Sequence, residues 1–203
     1  MPRAGVTPER IAAEAEAIAD EGGLDSVTLA AIALRLGVKM PSLYKHVEGL
    51  GAVREAVGER AFRELADVTM RATVGRSGAD AVVALARAVR EWAHAHPGRY
   101  AATVTAPRGL RERAEAVAQG EPAAASSEVA AAEAATEVAF GTLRGFGLEG
   151  DDLVDATRGL RALMHGYVTV EAAGGFEMPV DVDRSYDRLV DAFIRALPGY
   201  VSR

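Results

Sequence analysis

Apolar residues along this chain return at three and four positions, and strand-like alternation is scarce, so nearly every periodic stretch predicts a helix. Over 8–20, Ile11, Ala15, Ile18 and Ala19 share one face. Thr7 stands as N-cap and Pro8 takes the first helical position, where a missing N–H costs nothing. The "EGG" that follows stops this helix. Thr28 is a second N-cap, and Leu29, Ile32, Ala33 and Leu36 form the stripe behind it, ended by Gly37. A short third helix is expected over 39–46, with Pro41 tolerated in its first turn, and a long one over 50–70 carrying Val53, Val57, Ala61 and Leu65.

Further on, "TVGRSG" at 73–78 reads as a turn, followed by a helix over 79–96 closed by Pro97 and Gly98 and a short element around Tyr100. The stretch 119–127, "QGEPAAASS", is the most loop-like part of the chain. An alanine-rich helix is expected over 128–146, then two more over 151–173 and 183–197, separated by "GGFEMPV". No repeat is visible. The expected fold is all-α, with an N-terminal three-helix domain at 1–50 and a larger helical domain at 51–203.

Composition narrows the chemistry. At 203 residues and 49% hydrophobic the chain can bury a full core. It has no cysteine, which excludes disulfides, thiolate nucleophiles and cysteine-ligated metal. No signal peptide or membrane-length apolar run is readable, and the expected location is cytoplasmic. His94 and His96 in "HAH" stand two apart, so they point to different sides of a helix, and no ligand cluster completes a metal site. Phosphate loops, nucleophile elbows and readable acid–base pairs are missing too, so neither an enzyme nor a cofactor is expected.

The formal charge of −6 speaks against coating nucleic acid through bulk charge. Locally the balance reverses. Lys39 and Lys45 are the only lysines in the chain, and the window from Thr28 to Val47 holds them with Arg35 and no Asp or Glu. Residues 1–60 as a whole are net −2, so the bias belongs to the window.

Two short helices joined by a glycine turn, the second displaying polar and basic residues, form the helix-turn-helix pattern. Ala33 leaves room for a close crossing, Gly37 can turn left-handed, and Val38, Leu43 and Val47 are expected to face inward. Lys39, Met40, Ser42, Tyr44, Lys45 and His46 then face outward, a set suited to base edges and phosphates of a major groove. On these residues, "TLAAIALRLGVKMPSLYKHV" resembles the DNA-binding region of the tetracycline-repressor family. "LRALMHGYVTVEAAGGF" and "SYDRLVDAFIRAL" resemble the last two helices of one branch of that family. The likeness is closest at 7–65 and looser at 151–197. It implies that Thr28 and Tyr44 touch phosphates and that Lys39, Met40, Pro41, Ser42, Lys45 and His46 lie at the groove of a double-stranded DNA operator. One departure stands out: Leu50 occupies the place where the family usually has a phosphate-anchoring lysine, which implies either a weaker affinity or an anchor elsewhere, with Arg3 in the N-terminal arm as the candidate.

A reader of this size leaves more than half of the chain for assembly and sensing. Half-sites about 34 Å apart need two readers, so a homodimer is expected, with Leu160, Leu189, Val190, Phe193 and Leu197 as its seam. For a small-molecule effector the candidates are Phe62, Trp92, His96, Tyr100, Phe140, Arg144, Met164, His165 and Tyr167, forming an apolar cavity in which Arg144 and His165 orient a polar or acidic end. The expected function is a repressor released from a palindromic operator by that effector. The alternative is a helical small-molecule-binding or scaffolding protein without operator binding.

Overall fold

The computed structural model describes residues 5–201, and Arg3 lies outside them. All regular structure among the described residues is helical. Helix α1 (Pro8–Gly22) starts where the Thr7 hydroxyl accepts the Arg10 N–H at 3.3 Å, and it ends at Gly23, whose φ of 81° suits glycine. After a 3-10 turn at Leu24–Ser26, α2 (Leu29–Leu36) is capped by Thr28, which accepts the Ala31 N–H at 3.1 Å. Gly37 closes α2 in the left-handed conformation. Its N–H donates to the Leu34 carbonyl at 3.1 Å and that of Val38 to Ala33 at 3.0 Å, so two otherwise orphaned carbonyls are satisfied.

Met40–Lys45 is a 3-10 helix and not the α-helix expected over 39–46. The tighter turn, common in such short segments, is satisfied by Ser42 N–H to the Lys39 carbonyl and His46 N–H to that of Leu43, at 2.9 and 2.8 Å. The chain continues through α3 (Leu50–Thr73), α4 (Gly78–Ala95), α5 (Pro97–Ala102), α6 (Leu110–Ala118), α7 (Ser127–Arg144), α8 (Gly150–Ala172) and α9 (Val182–Ala196), with a last 3-10 turn at Leu197–Tyr200. Helix α6 was not expected, and none of its residues is buried.

These elements form two compact units that do not divide at the expected position between residues 50 and 51. The first holds the described residues up to Arg63 together with His96–Ala132; the second holds Glu64–Ala95 and the described residues from Glu133 onward. Helix α3 therefore contributes to both. Its Val53 and Val57 complete a core with Ile11, Ala15, Ile18, Val27, Ile32, Ala33 and Leu43, so cutting the chain at 50 would open that core. Each fully buried Val, Leu or Ile there contributes about 1.5–3 kcal/mol.

Helix α5 joins the first unit through α1. A β-carbon built on Gly98 would overlap the Ala19 carbonyl, so the two backbones meet directly at that point. Beside it, Asp20 accepts both the Arg99 backbone N–H (2.9 Å) and its Nε–H (2.8 Å). Arg60 of α3 forms a two-pronged bond to the buried Glu16 of α1, the Nη2 contact being 3.1 Å.

In the second unit, the buried faces are Val82, Leu85, Ala86 and Val89 on α4, Leu153, Ala156, Leu160, Met164 and Val168 on α8, and Tyr186 and Val190 on α9. The fully buried Tyr186 donates its hydroxyl to the Ala86 carbonyl at 2.8 Å. Arg90 binds both Glu171 oxygens, at 2.9 and 2.6 Å, and Asp183 at 2.6 Å, so α4, α8 and the start of α9 meet at one guanidinium. No helix among the described residues is long and apolar enough to cross a membrane.

Candidate nucleic-acid interface

Leu43 is the anchor of the candidate reading segment. It is fully buried in the first unit's core, and around it Lys39, Met40, Pro41, Tyr44, Lys45 and His46 are exposed, with Ser42 half-buried. Val38 and Val47 are only partly buried, packed against the edge of the same core. Tyr44 keeps 55% of its surface and Met40 43%, large apolar areas for a monomer to leave in water. Thr28 is exposed, and because its oxygen already accepts the Ala31 N–H, its hydroxyl hydrogen is what remains for an outside acceptor.

The charge of the segment differs from the sum read along the sequence. Arg35 pairs with Glu21 and lies 3.9 Å from Glu14, both on α1. Its charge is thereby matched, which leaves Lys39 and Lys45 as the cations of the window. Leu50 is half-buried against the core edge, as an apolar residue should be, and supplies no anchor.

The nine effector candidates are shared between the two units. Phe62, His96 and Tyr100 belong to the first unit; Trp92, Phe140, Arg144, Met164, His165 and Tyr167 belong to the second. Phe62, Trp92, Tyr100 and Met164 are buried, while Phe140 is half-buried. Pro97 separates Trp92 on α4 from Tyr100 on α5. His96 stands 3.6 Å from Asp20 and also meets Arg99. Tyr167 donates its hydroxyl to the Val182 carbonyl at 2.7 Å and stacks on Phe176 and Tyr186, with ring centroids 4.6 and 4.9 Å away. His165 is driven to a pKa of about 4 by burial, with Arg161 adding to the shift, so it is a neutral imidazole at physiological pH.

Arg144 departs from its expected role. It is exposed, pairs with Glu137 and lies 5.7 Å over the Phe140 ring, so it serves the surface of α7 and does not point a charge into a cavity. A separate cavity of about 430 Å³ in the second unit is polar, lined by Arg87, Arg90, Glu91, His94, Asp183 and Asp187. The Arg90 cluster escaped sequence reading because its partners are 81 and 93 residues away. The available signal was a charged residue directly after buried Val89 and two before buried Trp92 on α4.

The seam candidates also separate. Leu160 and Leu197 are fully buried and Val190 is 2% exposed within the chain itself, so these three are core and offer no surface to another molecule. Leu189 keeps 38% of its surface and Phe193 is half-buried against Tyr200, with ring centroids 6.2 Å apart. The apolar residues of α9 thus belong to two faces, one inward with Tyr186 and Val190 and one outward with Leu189 and Phe193.

Comparison with known proteins gives three kinds of likeness. Residues 82–193 match the family model described as "Tetracyclin repressor-like, C-terminal domain". The chain is 33% identical over 187 residues to the uncharacterized HTH-type transcriptional regulator Rv0681 of Mycobacterium tuberculosis, covering 92% of this chain and 79% of that protein. It is 30% identical over 196 residues to the uncharacterized HTH-type transcriptional regulator YobS of Bacillus subtilis, covering 97% and 95%. Among solved structures, the TetR family protein ActR of Streptomyces coelicolor, in complex with (S)-DNPA, superposes with a TM-score of 0.65 over 98% of this chain and 100% of that one; at 17% identity this is a likeness of fold.

Proposed function

Because the chain belongs to the tetracycline-repressor family and is a transcriptional regulator of that family, we propose that it acts as a homodimeric repressor that reads a palindromic operator and releases it when a small molecule binds. The observation that carries this reading is the segment around buried Leu43. An acid-free turn displays Lys39, Tyr44, Lys45 and His46 on a core that caps at Thr28 and Gly37 hold in place. Lysines and hydroxyls there suit phosphates, and the remaining side chains suit base edges.

Two copies would dock through the outward face of α9, where Leu189, Ala192, Phe193 and Ala196 follow the spacing of a helix seam and are exposed or half-buried. The effector would occupy an apolar site among the buried aromatic residues, as ActR carries a bound small molecule. It would act by binding better to a conformation whose two readers no longer match successive grooves, shifting the population away from DNA.

The test is selection of bound duplexes from a random pool by the purified protein at two salt concentrations, repeated with Tyr44→Ala. A palindrome enriched by the wild type and lost in the variant is the expected result; no enrichment in either would sink the reading. A second reading, a helical small-molecule-binding or scaffolding protein without operator binding, is favoured by the apolar Leu50 and by the pairing of Arg35 with Glu21. It predicts DNA binding that is weak and indifferent to sequence.

A further inference from the structure

The reading segment has an unusually narrow chemical vocabulary. Adenine is read best by the carboxamide of Asn or Gln, cytosine by a carboxylate, guanine by Lys or Arg, and thymine by apolar contact with its methyl group. The chain contains no asparagine and a single glutamine, Gln119, in the turn that ends α6. From Thr28 to Val47 it has no Asp or Glu either. The carboxamide and carboxylate that pair best with adenine and cytosine are therefore missing from the segment, which offers those bases the hydroxyls of Thr28, Ser42 and Tyr44, while the chemistries for guanine and thymine are present.

Position says which residues use them. The first residues of a recognition helix meet base edges, and its end lies nearer the backbone. Lys39 is the exposed cap residue in extended conformation, and exposed Met40 and Pro41 open the turn; Lys45 closes it. Met40 is 43% exposed although Leu43, three residues on, is fully buried, so the core is within reach of this turn and Met40 stays out of it. A thioether and a proline ring offer no N–H or O–H donor. Set against a guanine or cytosine edge they would strip water from polar atoms without replacing the hydrogen bonds; against a thymine methyl they bury apolar surface at no such cost.

We infer that each operator half-site presents a guanine to Lys39 and a thymine methyl to Met40, with Pro41 widening the apolar contact. This rests on the operator-binding reading above. Lys39 donates to O6 and N7 of the guanine; Met40 covers the C5-methyl of the thymine.

Base analogues test it on the duplex that the wild-type protein selects. Each thymine is replaced in turn by deoxyuridine, which lacks only the methyl group, and each guanine by 7-deazaguanine, which lacks the N7 acceptor. One thymine per half-site should weaken wild-type binding about fourfold when replaced, and one guanine roughly tenfold. Met40→Ala should bind the thymine and deoxyuridine duplexes equally, and Lys39→Ala should lose the distinction at guanine. Both side chains are exposed, so both variants should melt like the wild type. Indifference to the methyl group at every position, or a deoxyuridine effect that persists in Met40→Ala, would overturn the inference and leave the regulator reading standing. No enriched duplex at all would overturn both.

Discussion

Asp20 and Arg99, 79 residues apart, are joined twice: one carboxylate oxygen takes the Arg99 amide at 2.9 Å and the other its Nε at 2.8 Å. Both side chains are largely buried, at 17% and 16% exposure, so the pair is little screened by water. Asp20→Ala removes the acceptor for both bonds. We expect a loss of about 2–4 kcal/mol in urea unfolding, and a variant as stable as the wild type would show that the clamp contributes nothing.

Gly98→Ala places a methyl group where the Ala19 carbonyl already sits. Main chain cannot step aside as a flexible side chain does, so this smallest of substitutions should cost about 1–3 kcal/mol. Gly141→Ala, where a β-carbon meets open space, serves as the control and should leave the urea midpoint unchanged or raised.

At the reading segment, function and fold separate by exposure. Tyr44→Ala and Lys45→Ala should weaken DNA binding and leave the melting temperature within about 2 °C of wild type. Lys45→Ala should also reduce the dependence of log affinity on log salt by about one. Leu43→Ala should destabilise the protein by about 2–5 kcal/mol, because its side chain is fully buried. Loss of the dimer in Tyr44→Ala or Lys45→Ala would make this segment structural.

Stability should fall with acid below pH 7, first through His165 and then, below about pH 4.3, through Glu171, with Glu128 opposing the trend. Burial holds His165 down to about 4, against an unfolded value near 6.5, so its contribution is complete above the unfolded value and is lost as pH falls toward the folded one. The Arg90 hydrogen bonds hold Glu171 below the usual carboxylate range, a contribution present above about 4.3 and lost as pH falls through its folded value. Glu128 works in the opposite sense: burial, then the neighbouring Glu55 and Glu59, push it up against the pull of Arg108. Its contribution is present in acid and lost as pH rises. In thermal melts across this range, His165→Gln should flatten the acid loss, and Glu128→Gln should raise the melting temperature at pH 7.

On α9 the two apolar faces predict different failures. Leu189→Asp, on the outward face, should yield folded monomers by light scattering, whereas Val190→Asp, on the buried face, should unfold the second unit. A dimer unchanged by Leu189→Asp would move the interface elsewhere.

Helix positions were legible in the sequence where local chemistry decides them: Thr7, Thr28 and Gly37 cap α1 and α2 as their residue types require. Helix α6 was not, because it buries no residue and its apolar stripe is weak. Periodicity identified the apolar residues of α9 but could not tell Val190, which is buried in its own chain, from Leu189, which keeps 38% of its surface exposed. Charge counted along a window missed Glu14 and Glu21 opposite Arg35, since helix pairing brings them there from α1. The outward set around Leu43 was readable because a buried residue in so short a turn forces its neighbours outward.

Gly98 has one more consequence. Where side chains separate two helices, rotamers take up small displacements, and each helix can move a little without the other. At Gly98 there is no side chain between α5 and the last turn of α1, so the seam has no slack. A shift of a few tenths of an ångström in either backbone must be followed by the other or must open the seam.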